Sequence, residues 1–258
     1  MNLIDNPKRV LVTRPEHQAA QLCELLHQQQ IQTVLLPTIA IQPIDDATRI
    51  KQCLANLNHY DWLIFVSSNA VTMLYYHLDD GRMPHTTRTR LAAIGATTAN
   101  AMMSIGLPVH LIPSHGYSSE ALLATAEMQQ VNKQTILIVR GEGGLEDLAA
   151  ILRARGAHVD YLAVYKRVTP KSDTAIIDSL LQQQQLDALT ITSVEALNNL
   201  LVMLPPTYHQ RLFALPLIVL SDRIKQAALA IGFKQIIVAT EANDKALAAA
   251  VTECLTGE

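Results

Sequence analysis

Apolar residues along this chain fall into two alternating kinds of run. One kind is short and unbroken, such as LIFV (63–66) and ILIV (136–139). The other is longer and amphipathic, such as QLCELLHQ (21–28) and LAAILRAR (148–155). Unbroken apolar strands are buried on both faces, as in parallel sheets covered by helices. Their alternation with helical stretches predicts the doubly wound α/β class.

The alternation repeats. RVLVTRPEHQAAQLCELLHQQQIQTVLLP (9–37) and TILIVRGEGGLEDLAAILRARGAHVDYLAVY (135–165) both read strand, basic turn, helix, strand. DWLIFVSSNAVTMLYYHL (61–78) matches DALTITSVEALNNLLVML (187–204), and LAAIGATTANAMMSIGLPVHLI (91–112) matches PLIVLSDRIKQAALAIGFKQIIV (216–238). SSEALLATAEM (118–128) matches NDKALAAAVTECL (243–255). The chain is therefore two copies of one β/α pattern. Gly106, Gly156 and Gly232 each stand between a helix and the next strand, the place where a left-handed residue ends a helix. Two extended stretches, TIAIQPI (38–44) and LAVYKRVTP (162–170), are bounded by prolines and could pair as a connector. The pattern allows contiguous halves divided near residue 130. It allows equally a swapped partition, in which 1–37 packs with 170–258.

Composition narrows the function classes. Over 258 residues, 49 % are apolar and 17 % charged, enough to build real cores, and the net charge is −3. That balance argues against bulk capture of nucleic acid or an anionic membrane. Local donors can still bind a polyanionic small molecule. Cys23, Cys53 and Cys254 are scattered through helical patterns and are expected to be buried free thiols. The nine histidines show no metal-ligand spacing, and His17, His27, His77 and His209 are expected to be exposed. The start MNLIDNPKR has no signal-peptide core, and no apolar run approaches the ~20 residues of a membrane span. A cytoplasmic location is expected. No large exposed apolar helix face is evident, so a monomer is expected.

In open parallel sheets, ligands bind beyond the carboxyl ends of the strands. The residues there are Thr13 and Arg14; Ser67, Ser68 and Asn69; Gly95, Thr97 and Thr98; Arg140 and Gly141; Thr192 and Ser193; and Ser221, Asp222 and Arg223. Many precede helices, so backbone N–H groups and the positive helix end favour carboxylates or phosphates. Ser68, Asn69, Thr97, Thr98 and Ser193 are also ordinary N-cap residues. Arg14, Arg140 and Arg223 could equally be solvated. RGEGG (140–144) lacks the spacing of a nucleotide-binding loop, and its glycines suit a tight turn. Tyr165 lies in the connector beside Lys166 and Arg167. It is either a proton donor facing a cleft or an aromatic packing across a two-strand ladder.

Taken together, VLVTRP (10–15), DWLIFVSSNAV (61–71), AAIGATTANAMMSIGLPV (92–109), SSEALL (118–123), ILIVRGEGGLEDLAAILRARGAHVDYLAVYKR (136–167) and ITS (191–193) resemble uroporphyrinogen-III synthases. The resemblance implies two flavodoxin-like, doubly wound parallel-sheet domains joined by a two-stranded β-ladder linker. One domain would comprise 1–37 with 170–258, the other 44–162, with linker strands at 38–43 and 163–169. It implies a cleft between them that takes hydroxymethylbilane, loses water from its terminal hydroxymethyl group, and closes the macrocycle through a spiro intermediate that inverts ring D. No cofactor or metal is implied. The bilane would pass by transient hand-over from hydroxymethylbilane synthase.

Carried over residue by residue, Tyr165 would be the general acid. Thr13, Arg14, Ser67, Ser68, Asn69, Gly95, Thr97, Thr98, Ser118, Arg140, Gly141, Ser193 and Arg223 would hold substrate. The turn at 221–223 departs from the Gly-Pro-Thr-Thr type of some members, and its Asp222 would repel a carboxylate. Three other readings stay open on the residues alone: a non-enzymatic two-lobed binding protein for a polyanion, a sugar-nucleotide or flavin enzyme on the same fold class, and a degenerate paralogue that keeps the fold with reduced activity.

Overall fold

A computed structural model describes residues 7–257 other than 46, 79, 80, 82, 85, 87, 117 and 145. Most of the N-terminal stretch read for a signal core lies outside the described residues. The chain opens with β1 (Arg9–Val12), α1 (Glu16–Gln28) and β2 (Gln32–Leu35). Then come β3 (Ala40–Pro43), α2 (Ala47–Ala55), β4 (Trp62–Phe65), α3 (Ser68–Tyr76), β5 (Arg90–Ala93) and α4 (Ala96–Ser104). After them run α5 (Ser119–Leu123), α6 (Ala126–Gln129), β6 (Thr135–Gly141), α7 (Asp147–Ala154) and the long β7 (His158–Val168). The last part holds α8 (Ala175–Gln182), β8 (Ala188–Ile191), α9 (Val194–Met203), α10 (Pro206–Ala214), β9 (Leu217–Val219), α11 (Asp222–Ile231), β10 (Ile236–Val238) and α12 (Asp244–Thr256).

The chain divides into two compact units, one of residues 1–40 with 168–258 and one of 41–167. We call them the discontinuous and the central unit. The discontinuous unit contains one sheet ordered β10-β9-β8-β1-β2, with every pairing parallel. Counted from β1, the order is second, first, third, fourth, fifth. The central unit's sheet is ordered β3-β7-β6-β4-β5. Its β7/β6, β6/β4 and β4/β5 pairings are parallel. Leu111 bridges Ala92 of β5 in parallel. Counted from β6 and leaving out the edge strand β3, β7-β6-β4-β5 runs second, first, third, fourth, and the Leu111 bridge stands in the fifth place. β3, from the first extended stretch, lies at the sheet edge beside β7, which carries the second.

Alternate residues of the central strands feed two cores, as period-2 side chains must. Leu63 and Phe65 of β4 and Leu137 and Val139 of β6 join α2, α3 and α4 on one face. Trp62, Ile64, Ile136 and Ile138 join α5, α6 and α7 on the other. In the discontinuous unit, Val10 and Val12 pack on α1 and α12. The three helix-ending glycines take positive φ of 75° (Gly106), 87° (Gly156) and 120° (Gly232).

Two expectations about side-chain exposure need correction. Cys23, Cys53 and Cys254 are free but only half-buried, with Cys23 and Cys53 packed against the edge of a core. His17 and His27 are exposed as expected, while His77 and His209 are half-buried. The His209 Nε2 lies 3.1 and 3.0 Å from the Leu201 and Leu204 carbonyls at the end of α9, which draws its ring inward.

Candidate active site

The central unit's site is built where β6 ends. Arg140 pairs with Ala163 of β7, but the next residue, Gly141, pairs with Tyr165. Two residues of β7 thus oppose one step of β6, a bulge that re-aims the side chains beyond it. Leu162 and Val164 face the α2–α4 core, and by strict alternation Tyr165 would face away from it. It joins that same core instead. Its ring then lies over Gly141, where a Cβ would come within 2.5 Å of Cε2 and Cζ. Gly141 is therefore glycine because the ring occupies the space a side chain would need. The Glu142 N–H donates to the Tyr165 carbonyl at 2.9 Å and ties the turn to the bulge.

Tyr165 is only 6 % exposed, and its hydroxyl lies 3.3 Å from Ser67 Oγ. The ring packs in the core and against Gly141, while the hydroxyl reaches a polar group. Ser67 is the N-cap of α3 and accepts from the Ala70 N–H at 3.0 Å. Its own proton is thus available to the phenol oxygen. Ser68 and Asn69 follow in the first turn, half-buried, and that turn carries no acidic residue. α4 likewise begins without an acid, from Gly95 through Thr97, which is exposed, and Thr98, which is buried. Thr97 and Thr98 are thus first-turn residues rather than caps. Ser118 caps the short α5 by accepting from Ala121 N–H at 3.3 Å. The adjacent Glu120 carboxyl is held below its ordinary value by its hydrogen bond with Ser118.

Arg140 is buried, and it is not a free cation. Its Nε donates to the Gly141 carbonyl at 3.2 Å, its Nη2 donates to the Gly144 carbonyl, and its guanidinium lies 4.6 Å over the Tyr161 ring. The glycine-rich turn thus wraps its own arginine, and a Cβ on Gly144 would sit 2.8 Å from Nη2. Around these groups is a cavity of about 250 Å3, lined in part by Ser67, Arg140, Gly141, Tyr161, Tyr165 and Arg167. The sequence reading missed Tyr161, although it stands four residues before Tyr165 on the same strand.

The discontinuous unit treats its strand ends differently. Thr13 is fully buried; its hydroxyl donates to the Thr190 carbonyl at 2.8 Å, and its carbonyl accepts from the Thr38 N–H at 3.1 Å. Arg14 is ion-paired with Asp244, the first residue of α12, and its Nε is buried with no partner among the described residues. Ser193 caps α9, accepting from Ala196 N–H at 3.0 Å, but Glu195 stands in that helix's first turn. Arg223 is exposed on α11, directly after Asp222. Thus Ser67, Arg140, Gly141 and Tyr165 share one cavity, whereas Thr13, Arg14, Ser193 and Arg223 belong to the other unit.

Other shifted groups lie away from this cavity. Burial, with Cys53 and Asp160 nearby, pushes the Tyr60 phenol up to about 12, and burial raises the Cys53 thiol. Among the described residues, no cluster of three or more His, Cys, Asp or Glu side chains could hold a metal ion. No helix among them is long and apolar enough to cross a membrane.

A family model described as "Uroporphyrinogen-III synthase HemD" matches residues 20–249. The uroporphyrinogen-III synthase of Escherichia coli (strain K12) is 31 % identical over 241 residues, covering 92 % of this chain and 97 % of that protein. That of Salmonella typhimurium is 30 % identical over 240 residues, with the same coverage. A mutant uroporphyrinogen III synthase from the extremely thermophilic bacterium Thermus thermophilus shares the fold at a TM-score of 0.62 and 17 % identity, covering 97 % of this chain and 100 % of that one. The Helicobacter pylori 26695 synthetase does so at 0.61 and 14 %, again covering 97 % and 100 %. With nearly its whole length matched, this chain belongs to the uroporphyrinogen-III synthase family.

Proposed function

We propose that this protein is the enzyme that dehydrates and closes hydroxymethylbilane to uroporphyrinogen III, inverting ring D through a spiro intermediate, in tetrapyrrole (haem) biosynthesis. The observation that carries the reading is the buried Tyr165 hydroxyl beside Ser67, at the start of an acid-free helix and on the wall of a cavity. The substrate is a polycarboxylate. First turns without acids, as in α3 and α4, are places where backbone N–H groups and the helix dipole favour a carboxylate. In this reading Tyr165 donates its proton to the departing hydroxyl, and Ser67 donates to the phenolate oxygen left behind. The remaining task is to hold the bilane so that one ring carbon attacks rather than its neighbour, which is catalysis by orientation.

We read each unit as a flavodoxin-like, doubly wound domain. The shared strand order and the cores on both faces of the central sheet support this. The adjacency of β3 and β7 supports their reading as linker strands. The central unit supplies the chemistry in this account. The substrate contacts proposed for Ser118, Ser193 and Arg223 are the weaker set, since carboxylates of the protein, Glu120, Glu195 and Asp222, stand beside them.

The test is to feed the purified protein freshly generated hydroxymethylbilane, oxidise the products and separate the I and III isomers. Predominant III isomer is the expected result. Only I isomer at the spontaneous rate would overturn the reading and leave a two-lobed binding protein.

A further inference from the structure

Among the described residues, the Tyr161 hydroxyl is buried with no hydrogen-bond partner. A buried hydroxyl without a partner carries a free-energy cost, so its retention calls for a reason. Its ring is held firmly. The Arg140 guanidinium lies 4.6 Å from the ring centroid and that of Arg153 5.3 Å. Both cations are themselves anchored, Arg140 to the Gly141 and Gly144 carbonyls and Arg153 to the Val159 carbonyl at 2.7 Å. The phenol is thus fixed by two cation–π contacts on the wall of the cavity that Tyr165 and Ser67 also line. Glu142 also lines this cavity, but it is exposed, whereas the phenol is fixed beside two guanidinium groups, and a donor so placed suits an anionic acceptor, because charge-assisted hydrogen bonds are the strong ones. The cavity's 250 Å3 is several times the ~30 Å3 share of one water molecule, so it admits a small acidic arm.

We propose that the Tyr161 hydroxyl is a substrate-binding group that donates to a carboxylate arm of the bilane, and that Arg140 and Arg153 act as positioning residues for its ring. This rests on the functional reading above. Arg140 then contributes by fixing the phenol rather than by its own ion pair with substrate.

Tyr161→Phe keeps the ring and both cation contacts and removes only the hydroxyl. The expected result is a rise in KM for hydroxymethylbilane of about ten- to a hundredfold, the range for a lost hydrogen bond to a charged group. kcat should stay unchanged, as for a binding interaction equal in ground and transition states. The midpoint of thermal unfolding should stay level or rise, since an unpaired buried hydroxyl has been removed. An unchanged KM, or a lowered unfolding midpoint at unchanged KM, overturns the proposal. Binding of uroporphyrin III, the oxidised macrocycle, separates this proposal from the activity. If the wild type makes no III isomer yet binds uroporphyrin III at least tenfold more tightly than Tyr161→Phe, the carboxylate site stands and the enzyme reading falls. Equal binding by the two proteins sinks the site.

Discussion

The central and discontinuous units share a core strand order and a serine cap, yet two matched pairs of helix starts, α3 with α9 and α4 with α11, differ in charge. Ser67 and Ser193 stand at matching places and accept from the residue three ahead at the same 3.0 Å. After Ser67 come Ser68 and Asn69; after Ser193 come Val194 and Glu195. Gly95 is followed by alanine and threonines, whereas its counterpart Ser221 is followed by Asp222. At the last helix of the discontinuous unit, Asp244 is paired with Arg14. An acidic side chain in the first turn already uses the favourable field of a helix start and repels an incoming anion. The strand pairs differ as well. Val12 pairs with Leu35 where Ile138 pairs with Tyr161, and Pro15 stands where the central unit has Gly141. A scaffold used twice has thus kept its serine caps in both copies, while at these two pairs only the central unit leaves the helix start free of acids; its α5 and α7 begin with Glu120 and Asp147.

The sharpest way to break this comparison is at the phenol. Tyr165→Phe should lower kcat by about a hundredfold or more, the scale of a general acid, with little change in KM. Steady-state kinetics with isomer analysis checks this, and unchanged turnover would remove Tyr165 from the chemistry. Gly141→Ala should act in the same direction, because the added Cβ meets the Tyr165 ring. It should also cost about 1–3 kcal/mol of stability through overpacking, read by denaturant titration.

In the discontinuous unit the largest effect should be on stability alone. Asp244→Asn leaves Arg14, whose side chain is 19 % exposed, without its charge partner. A loss of about 3 kcal/mol is expected, with kcat held. A large fall in kcat would show that this end of the unit takes part in the chemistry.

The two matched caps give a finer test. Ser67→Ala and Ser193→Ala should each cost about 1 kcal/mol as lost N-caps. Only Ser67→Ala should also lower kcat. Equal kinetic effects would erase the proposed asymmetry.

The smallest effect concerns Asp61, at the amino end of the central sheet. Burial pushes its carboxyl up, but hydrogen bonds from the Thr135 N–H and Arg88 outweigh this and hold it below its ordinary value. A carboxyl lowered in the folded state adds stability above its unfolded value of about 3.9, and this is lost as pH falls through the folded value. Asp61→Asn should therefore flatten the acid limb of stability below about pH 4. An identical limb in the variant would assign acid sensitivity to other carboxylates.

Much of this was legible in local pattern. Unbroken apolar runs marked the parallel strands, Gly106 and Gly156 marked helix ends, and the four matched segments marked the duplication. Part of the candidate site was legible too, because ligand groups in such sheets follow the strand ends: Ser67, Arg140 and Gly141 all lie there. Other residues at strand ends have partners that the local pattern does not show. Thr13 looks like a donor by position, but its hydroxyl is committed to Thr190 across the sheet. Arg14 and Arg140 look alike, yet one meets Asp244 from a helix 230 residues away and the other is wrapped by its own turn.

What the sequence determined by itself is the set of elements, their order and the repeat, because strand and helix periodicities are properties of a few consecutive residues. What only the tertiary structure decided is which elements share a sheet. Any unbroken apolar strand can satisfy any other, so the pattern left a contiguous and a swapped partition equally open, and pairing of β1 with β8 resolved it. The orientation of Tyr165 was decided the same way. Counting by twos along β7 turns it away from Val164, and only the bulge opposite Gly141 turns it back. A bulge is a mismatch between two strands, and neither strand records it alone.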